Sequence, residues 1–315
     1  MDKPTRAENA FFGRPVDRPP VCFWHNFKGL TGQDMVAAHM KFYRESGIDI
    51  LKMMCDEFFV YPLDVSIEKA SDWRKLRPLG KDHPYIREQV ERATQINEAL
   101  KGDTWTLYNA FSPYTTLKHT VGDELLTAHI REDGDAVMQA LDVVAEDTCA
   151  MIEGVLTESG TRGIMLALQG AEKGHFPAED YIRKIHPSEL RVVTCADGLS
   201  NMNLLHMCGF GGKPNQLSLW EDYPARCVSW AVFIEGIDMA EGRSRFPGRS
   251  LMGGFDSRAG KLLHRGSKEK IMAETRAIVR KAGKDGIIIG ADCSLPADID
   301  YEHIRSVVEA LESEI

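Results

Sequence analysis

Short apolar runs, each four to six residues long, recur along the chain with longer amphipathic stretches between them. The runs begin at Pro20-Val21-Cys22-Phe23-Trp24, Asp49 to Met54, Thr104 to Tyr108 and Gly163 to Leu168. They continue at Asn203 to Cys208, Cys227 to Val232, Ser250 to Gly254 and Gly286 to Gly290, eight in all. Runs of this length, apolar on both alternating faces, are what a strand buried in a parallel sheet presents. Between them, Gln33 to Ser46, Tyr85 to Leu100, Ala136 to Glu158, Lys268 to Ala282 and Tyr301 to Leu311 carry the three-to-four residue spacing of amphipathic helices. Strands alternating with helices predict an α/β fold, a (β/α)8 TIM-type barrel formed by residues 1–315 as a single domain. A doubly wound open sheet is the structural alternative.

The barrel reading makes a demand on the polar residues, because active sites of such barrels lie at the C-terminal ends of the strands. His206 and Cys208 close the fifth run, and Cys293 lies just past the eighth. Asp56 and Glu57 follow the second run, Glu235 the sixth and Asp256 the seventh. His25 and Tyr114, after the first and third runs, are expected to face the same mouth. Groups able to do chemistry therefore converge on one rim.

Among these, His206-Met207-Cys208 with the distant Cys293 is the most specific pattern. Alternate residues of a strand point to the same side, so His206 and Cys208 can share a face. Two thiolates and an imidazole suit a zinc ion that keeps its fourth position open for catalysis, and the spacing is unlike the two short ligand pairs of a zinc finger. Asp256 reads as a cap for the following loop. Cys22, Cys55, Cys149, Cys195 and Cys227 read as small buried hydrophobes.

Composition narrows the setting. The 315 residues are 43% hydrophobic and 27% charged, ordinary for a folded chain. A net charge of −9 argues against nucleic acid as a partner. No run of eighteen apolar residues is present, so no membrane span is expected. The charged, proline-bearing stretch from Met1 to Pro20 has no apolar signal-peptide core, and seven scattered cysteines are no disulfide framework. A cytoplasmic location is the expectation.

Several segments together resemble the uroporphyrinogen decarboxylase superfamily, whose fold is a (β/α)8 barrel. They are Arg6-Ala7-Glu8-Asn9-Ala10-Phe11-Phe12-Gly13-Arg14-Pro15, Phe111-Ser112-Pro113-Tyr114, Leu205-His206-Met207-Cys208-Gly209 and Gly253-Gly254-Phe255-Asp256. The likeness extends over essentially the whole chain. The decarboxylases proper carry an Arg-Gln-Ala-Gly-Arg segment where this chain has His25-Asn26-Phe27-Lys28-Gly29, and a Gly-His-Gly turn where it has Gly290-Ala291-Asp292-Cys293. Asp56 is similar to their pyrrole-binding aspartate. That likeness keeps open a metal-free carboxy-lyase acting through Asp56 on a porphyrinogen or other carboxylated substrate.

His206, Cys208 and Cys293 instead match the His-x-Cys…Cys signature of the cobamide-dependent methyltransferases in this superfamily. That branch implies a Zn(2+) cofactor, a corrinoid carried by a partner protein as methyl donor, and a small thiol such as coenzyme M as acceptor. Glu235 resembles the strand-end glutamate that is a further zinc ligand in cobalamin-independent methionine synthase, and would be both ligand and catalytic group. Asp56 joins it as a catalytic residue, with His25, Asp56 and Tyr114 binding substrate. No corrinoid-binding Asp-x-His-x-x-Gly motif is present in the chain. A homodimer is common for such barrels, with no interface legible here. A binding protein that keeps the pocket without turnover is the third reading.

Overall fold

A computed structural model describes residues 1–209 and 211–313. Seven parallel strands, β1 (Ile50–Met53), β2 (Trp105–Phe111), β3 (Gly163–Leu168), β4 (Leu204–Met207), β5 (Cys227–Trp230), β6 (Ser250–Phe255) and β7 (Ile287–Ala291), lie side by side in chain order. Every residue of β1, β3, β4, β5, β6 and β7 is buried. Helices cover the sheet, and their burial explains the near-continuous apolar runs.

The helices are α1 (Lys3–Phe11), α2 (Gly32–Ser46), α3 (Pro84–Leu100), α4 (Pro113–Val121), α5 (Asp123–Glu132), α6 (Gly134–Glu158) and α7 (Ala178–Lys184). They continue as α8 (His186–Leu199), α9 (Val232–Glu235), α10 (Met239–Arg245), α11 (Leu262–Arg265), α12 (Lys268–Ala282) and α13 (Tyr301–Glu312). The apolar stripe of α12, Ile271, Thr275 and Val279, recurs every fourth residue, and the helix packs against α13. Among the described residues no helix is long and apolar enough to cross a membrane.

The expectation of eight strands is corrected to seven. The first apolar run forms isolated bridges, Val21 with Ile289 and His25 with Leu295, rather than a continuous ladder. Pro19 and Pro20 have no N–H to donate, so Pro20 takes part only through its carbonyl. The segment nonetheless hydrogen-bonds to both edges of the sheet. Cys22 N–H donates to the Ile289 carbonyl and Ile289 N–H to that of Pro20, while Asp49 and Ile50 N–H donate to the Val21 carbonyl.

A buried ion cluster fixes this segment. Asp49, fully buried, pairs with Arg6 Nη1 at 2.8 Å and with Arg18 Nη1 at 2.7 Å, and its Oδ2 accepts from Val21 N–H at 2.9 Å. One carboxylate thus ties α1, the closing segment and the entry to β1. Removing one member of a buried ionic cluster strands the others without compensation, typically for about 3–5 kcal/mol. Asp49→Ala is therefore expected to lower unfolding free energy by about that amount. Urea denaturation measures it, and a loss below about 1 kcal/mol would show that the cluster behaves as an exposed one.

Candidate metal centre

His206 is on β4 and only 2% exposed, with Cys208 just beyond the strand and also buried. Met207, between them, is buried as well, and Cys208 N–H still pairs with the Leu168 carbonyl, so the strand geometry that puts 206 and 208 on one side persists through Cys208. Cys293 follows β7 and is half-buried. The donor atoms of His206, Cys208 and Cys293 all lie within 4.8 Å of one another.

Their arrangement fits a tetrahedral ion. The Cys208 and Cys293 sulfurs are 3.8 Å apart, too far for a disulfide and equal to the edge of a tetrahedron built on zinc–sulfur bonds of about 2.3 Å. His206 Nδ1 meets Ser229 Oγ at 2.8 Å, whereas Nε2 is buried and has no hydrogen-bond partner. With Nδ1–H donating to the hydroxyl, Nε2 offers a lone pair to an ion, the usual way a metal-binding histidine is held. Hydrogen bonding to Cys208 holds the Cys293 thiol well below its ordinary range.

The surroundings orient these donors. Ser229 lies opposite His206 in the β4–β5 register. Gln169 Nε2 approaches the Cys208 sulfur at 3.7 Å. Gly209 lets the chain after Cys208 pass close to the end of β5, since a Cβ there would come within 2.4 Å of Ala231 Cβ. Trp24 stands edge-on to the His206 ring with centroids 5.6 Å apart, and its Nε1 donates to Ser294 Oγ at 3.0 Å. Above the donors opens a cavity of about 430 Å³ whose lining includes Asn26, Lys28, Arg258, Asp292 and Cys293. Burial pushes the Asp292 carboxyl up to about 7. Its Oδ2 accepts from Phe233 N–H and its Oδ1 is unpartnered.

The remaining candidates are placed as follows. Glu235, at the end of α9, is not among the converging donors: both carboxylate oxygens accept from Asn215 N–H, and Oε1 also from Asn215 Nδ2 at 2.8 Å. Burial raises its carboxyl pKa, although these bonds oppose the shift. Asn215 Nδ2 also donates to the Cys208 carbonyl, so Glu235 steadies the loop after the ligand instead of facing the ion. Asp56 Oδ2 accepts from Phe27 N–H while Oδ1 is buried and unpartnered, and burial raises its pKa. Glu57 pairs with Arg92 at 2.6 Å, and Asp256 with Arg258 at 2.6 Å.

His25 and Tyr114 do not line the cavity, and the expectation that they face the mouth is corrected. His25 is buried among Phe27, Phe42 and Tyr301, with Nε2 2.8 Å from the Tyr301 hydroxyl, and desolvation lowers its pKa. Tyr114 is fully buried in α4, donates to Asp123 Oδ1 at 2.8 Å and packs against Gly170. In both cases the aromatic surface finds an apolar berth and the polar atoms find two partners, Asn26 and Tyr301 for His25, Asp123 and His175 for Tyr114.

Comparison with solved structures places this architecture among known barrels. A methyltransferase from Methanosarcina mazei superposes with a TM-score of 0.79 at 17% identity, over 99% of this chain and 98% of that one. A B12-independent methionine synthase from Shewanella sp. W3-18-1 gives 0.55 at 13% identity, over 95% and 94%. A β-mannanase from the blue mussel Mytilus edulis gives 0.54 at 10% identity, over 93% and 88%. Such identities establish a shared fold, and the mannanase shows how little a fold alone says of chemistry. No curated protein sequence matches the chain. The uroporphyrinogen decarboxylase (URO-D) family model matches residues 60–313, and the chain belongs to that family.

Removing the hydroxyl that orients His206 tests the site without touching a ligand. Ser229→Ala is expected to weaken zinc binding by about 10- to 100-fold, as loss of such supporting partners generally does. Competition with a chromophoric chelator reads this directly, and unchanged affinity would mean that Ser229 does not hold the imidazole.

Proposed function

We propose that this protein is a zinc-dependent methyltransferase that moves a methyl group from a methylated corrinoid, carried by a partner protein, to a small thiol. The observation that supports this most is the triad itself: two sulfurs at tetrahedral spacing and an unpartnered imidazole nitrogen beneath a cavity of about 430 Å³. Zinc would supply a Lewis acid that keeps an acceptor thiol deprotonated near neutral pH. A structurally similar protein described as a methyltransferase is consistent with that chemistry.

In this reading His206, Cys208 and Cys293 hold the ion and leave the cavity side for the acceptor. Ser229 sets the imidazole, and the Asn215–Glu235 pair fixes the chain that follows Cys208. Glu235 becomes a ligand only by leaving Asn215. The acceptor sulfur attacks the methyl carbon, and the bonding electron pair stays with the donor. Because the chain has no corrinoid motif, the donor docks on the rim from another protein. Asp56, with one unpartnered carboxylate oxygen, remains the group able to accept a hydrogen bond from a ligand near Phe27. We read residues 1–315 as one barrel domain, closed by the Val21 segment and working in the cytoplasm.

A porphyrinogen decarboxylase fits less well. Several substrate carboxylates need several free cations, but of the two basic residues lining the cavity Arg258 is already paired with Asp256, leaving Lys28. Metal analysis of freshly purified protein separates the readings. About one zinc per chain, as expected for a three-donor site with its fourth position open, should be present and should be lost in both Cys208→Ser and Cys293→Ser. Protein that takes up no zinc under reducing conditions would overturn the methyltransferase reading in favour of a metal-free role for Asp56.

A further inference from the structure

Lys52 is the one charged residue in β1, and it is 4% exposed. Its ammonium forms no ion pair and no hydrogen bond with any described residue; it rests 4.2 Å from the centre of the Trp24 ring. An ammonium buried without a carboxylate is costly, and a methionine would fill the space without that cost. Trp24 is also the residue that stands against His206 and holds Ser294, the neighbour of Cys293. Lys52 and His206 therefore share one aromatic platform, and Cys293 adjoins the serine that this platform holds. Burial pushes its ammonium down to about 8, a shift that the charge of the Cys293 thiolate opposes.

Charge counting gives this placement a purpose. A divalent ion with two thiolates and a neutral imidazole is neutral overall. A third thiolate, the sulfur of the acceptor, brings one net negative charge into a buried place, where a nearby cation stabilises it. Building on the methyltransferase reading, we infer that Lys52 is a positioning residue whose buried positive charge favours entry of the acceptor as a thiolate. It acts on the sulfur and not on the rest of the acceptor, and it neither ligates the ion nor moves a proton.

The test uses cobalt(II) as the spectroscopic ion in the full chain, with wild type, Lys52→Met and Lys52→Arg compared. Each protein is loaded with cobalt and titrated with 2-mercaptoethanol, an uncharged thiol, and then with 2-mercaptoethanesulfonate, an anionic one. The sulfur-to-cobalt absorption gives a dissociation constant without any methyl transfer. Lys52→Met should retain cobalt and melt no lower than wild type, since it loses an unpaired buried charge. It should bind both thiols about 10- to 100-fold more weakly, and Lys52→Arg should recover most of the loss. Unaltered binding of 2-mercaptoethanol by Lys52→Met overturns the inference. So does a loss confined to 2-mercaptoethanesulfonate, which would make Lys52 a reader of the acceptor's acidic end. Wild type that takes up no cobalt overturns the metal reading and this inference with it, whereas intact cobalt uptake with unaltered thiol binding overturns the inference alone.

Discussion

The site depends on the seating of residues 20–25 between the two edges of the parallel sheet. Backbone bonds from Ile289 on one side and from Asp49 and Ile50 on the other hold this short segment. The buried carboxylate of Asp49 fixes its approach through Arg6, Arg18 and Val21 N–H. Trp24, near its end, then touches His206 from β4, Ser294 beyond β7 and Lys52 from β1. Residues from parts of the chain far apart in sequence thus meet around one indole ring. Loosening the segment would separate Cys293 from His206 without altering either residue.

Around that platform the site concentrates soft and nitrogen donors, while three neighbouring carboxylates are held by other partners. Glu235 is held by Asn215, Asp256 by Arg258, and Glu57 by Arg92. Two thiols and an imidazole select for zinc over hard cations, which prefer oxygen ligands. Membership of the URO-D family is thus compatible with chemistry unlike that of a porphyrinogen decarboxylase, because the differences lie at strand ends and leave the frame intact.

Much of this frame was legible because burial leaves a mark on composition. The run Gly163 to Leu168 coincides with β3, and the periodic stretches at 85–100 and 268–282 are helices in the structure. The first run misled because an extended apolar segment looks like a strand whether or not its ladder is continuous, and here bridges form only at Val21 and His25. Helix α8 was missed because its apolar positions are weakly segregated, and Glu189 is buried on it against the Tyr181 and Tyr223 hydroxyls.

The grouping of His206 with Cys208 was legible from the alternation of a strand, a local rule that puts both on one side. The partners of His25, Tyr114 and Glu235 were not, because a polar residue at a strand end carries no trace of its partner: Tyr301 is distant in sequence, Asp123 begins the next helix and Asn215 lies in a loop. Two signals went unused: Ser229 within Cys227-Val228-Ser229-Trp230, and Lys52 within Ile50-Leu51-Lys52-Met53. A polar residue inside an otherwise apolar buried strand needs a reason, and here each points toward the same three donors.

Zinc K-edge X-ray absorption, recorded before and after addition of a thiol, tests the central claim most directly. The account predicts two sulfurs at about 2.3 Å and at least one nitrogen at about 2.0 Å in the resting protein, with a third sulfur once thiol is added. A shell of oxygen and nitrogen alone, or one unchanged by thiol, would contradict it.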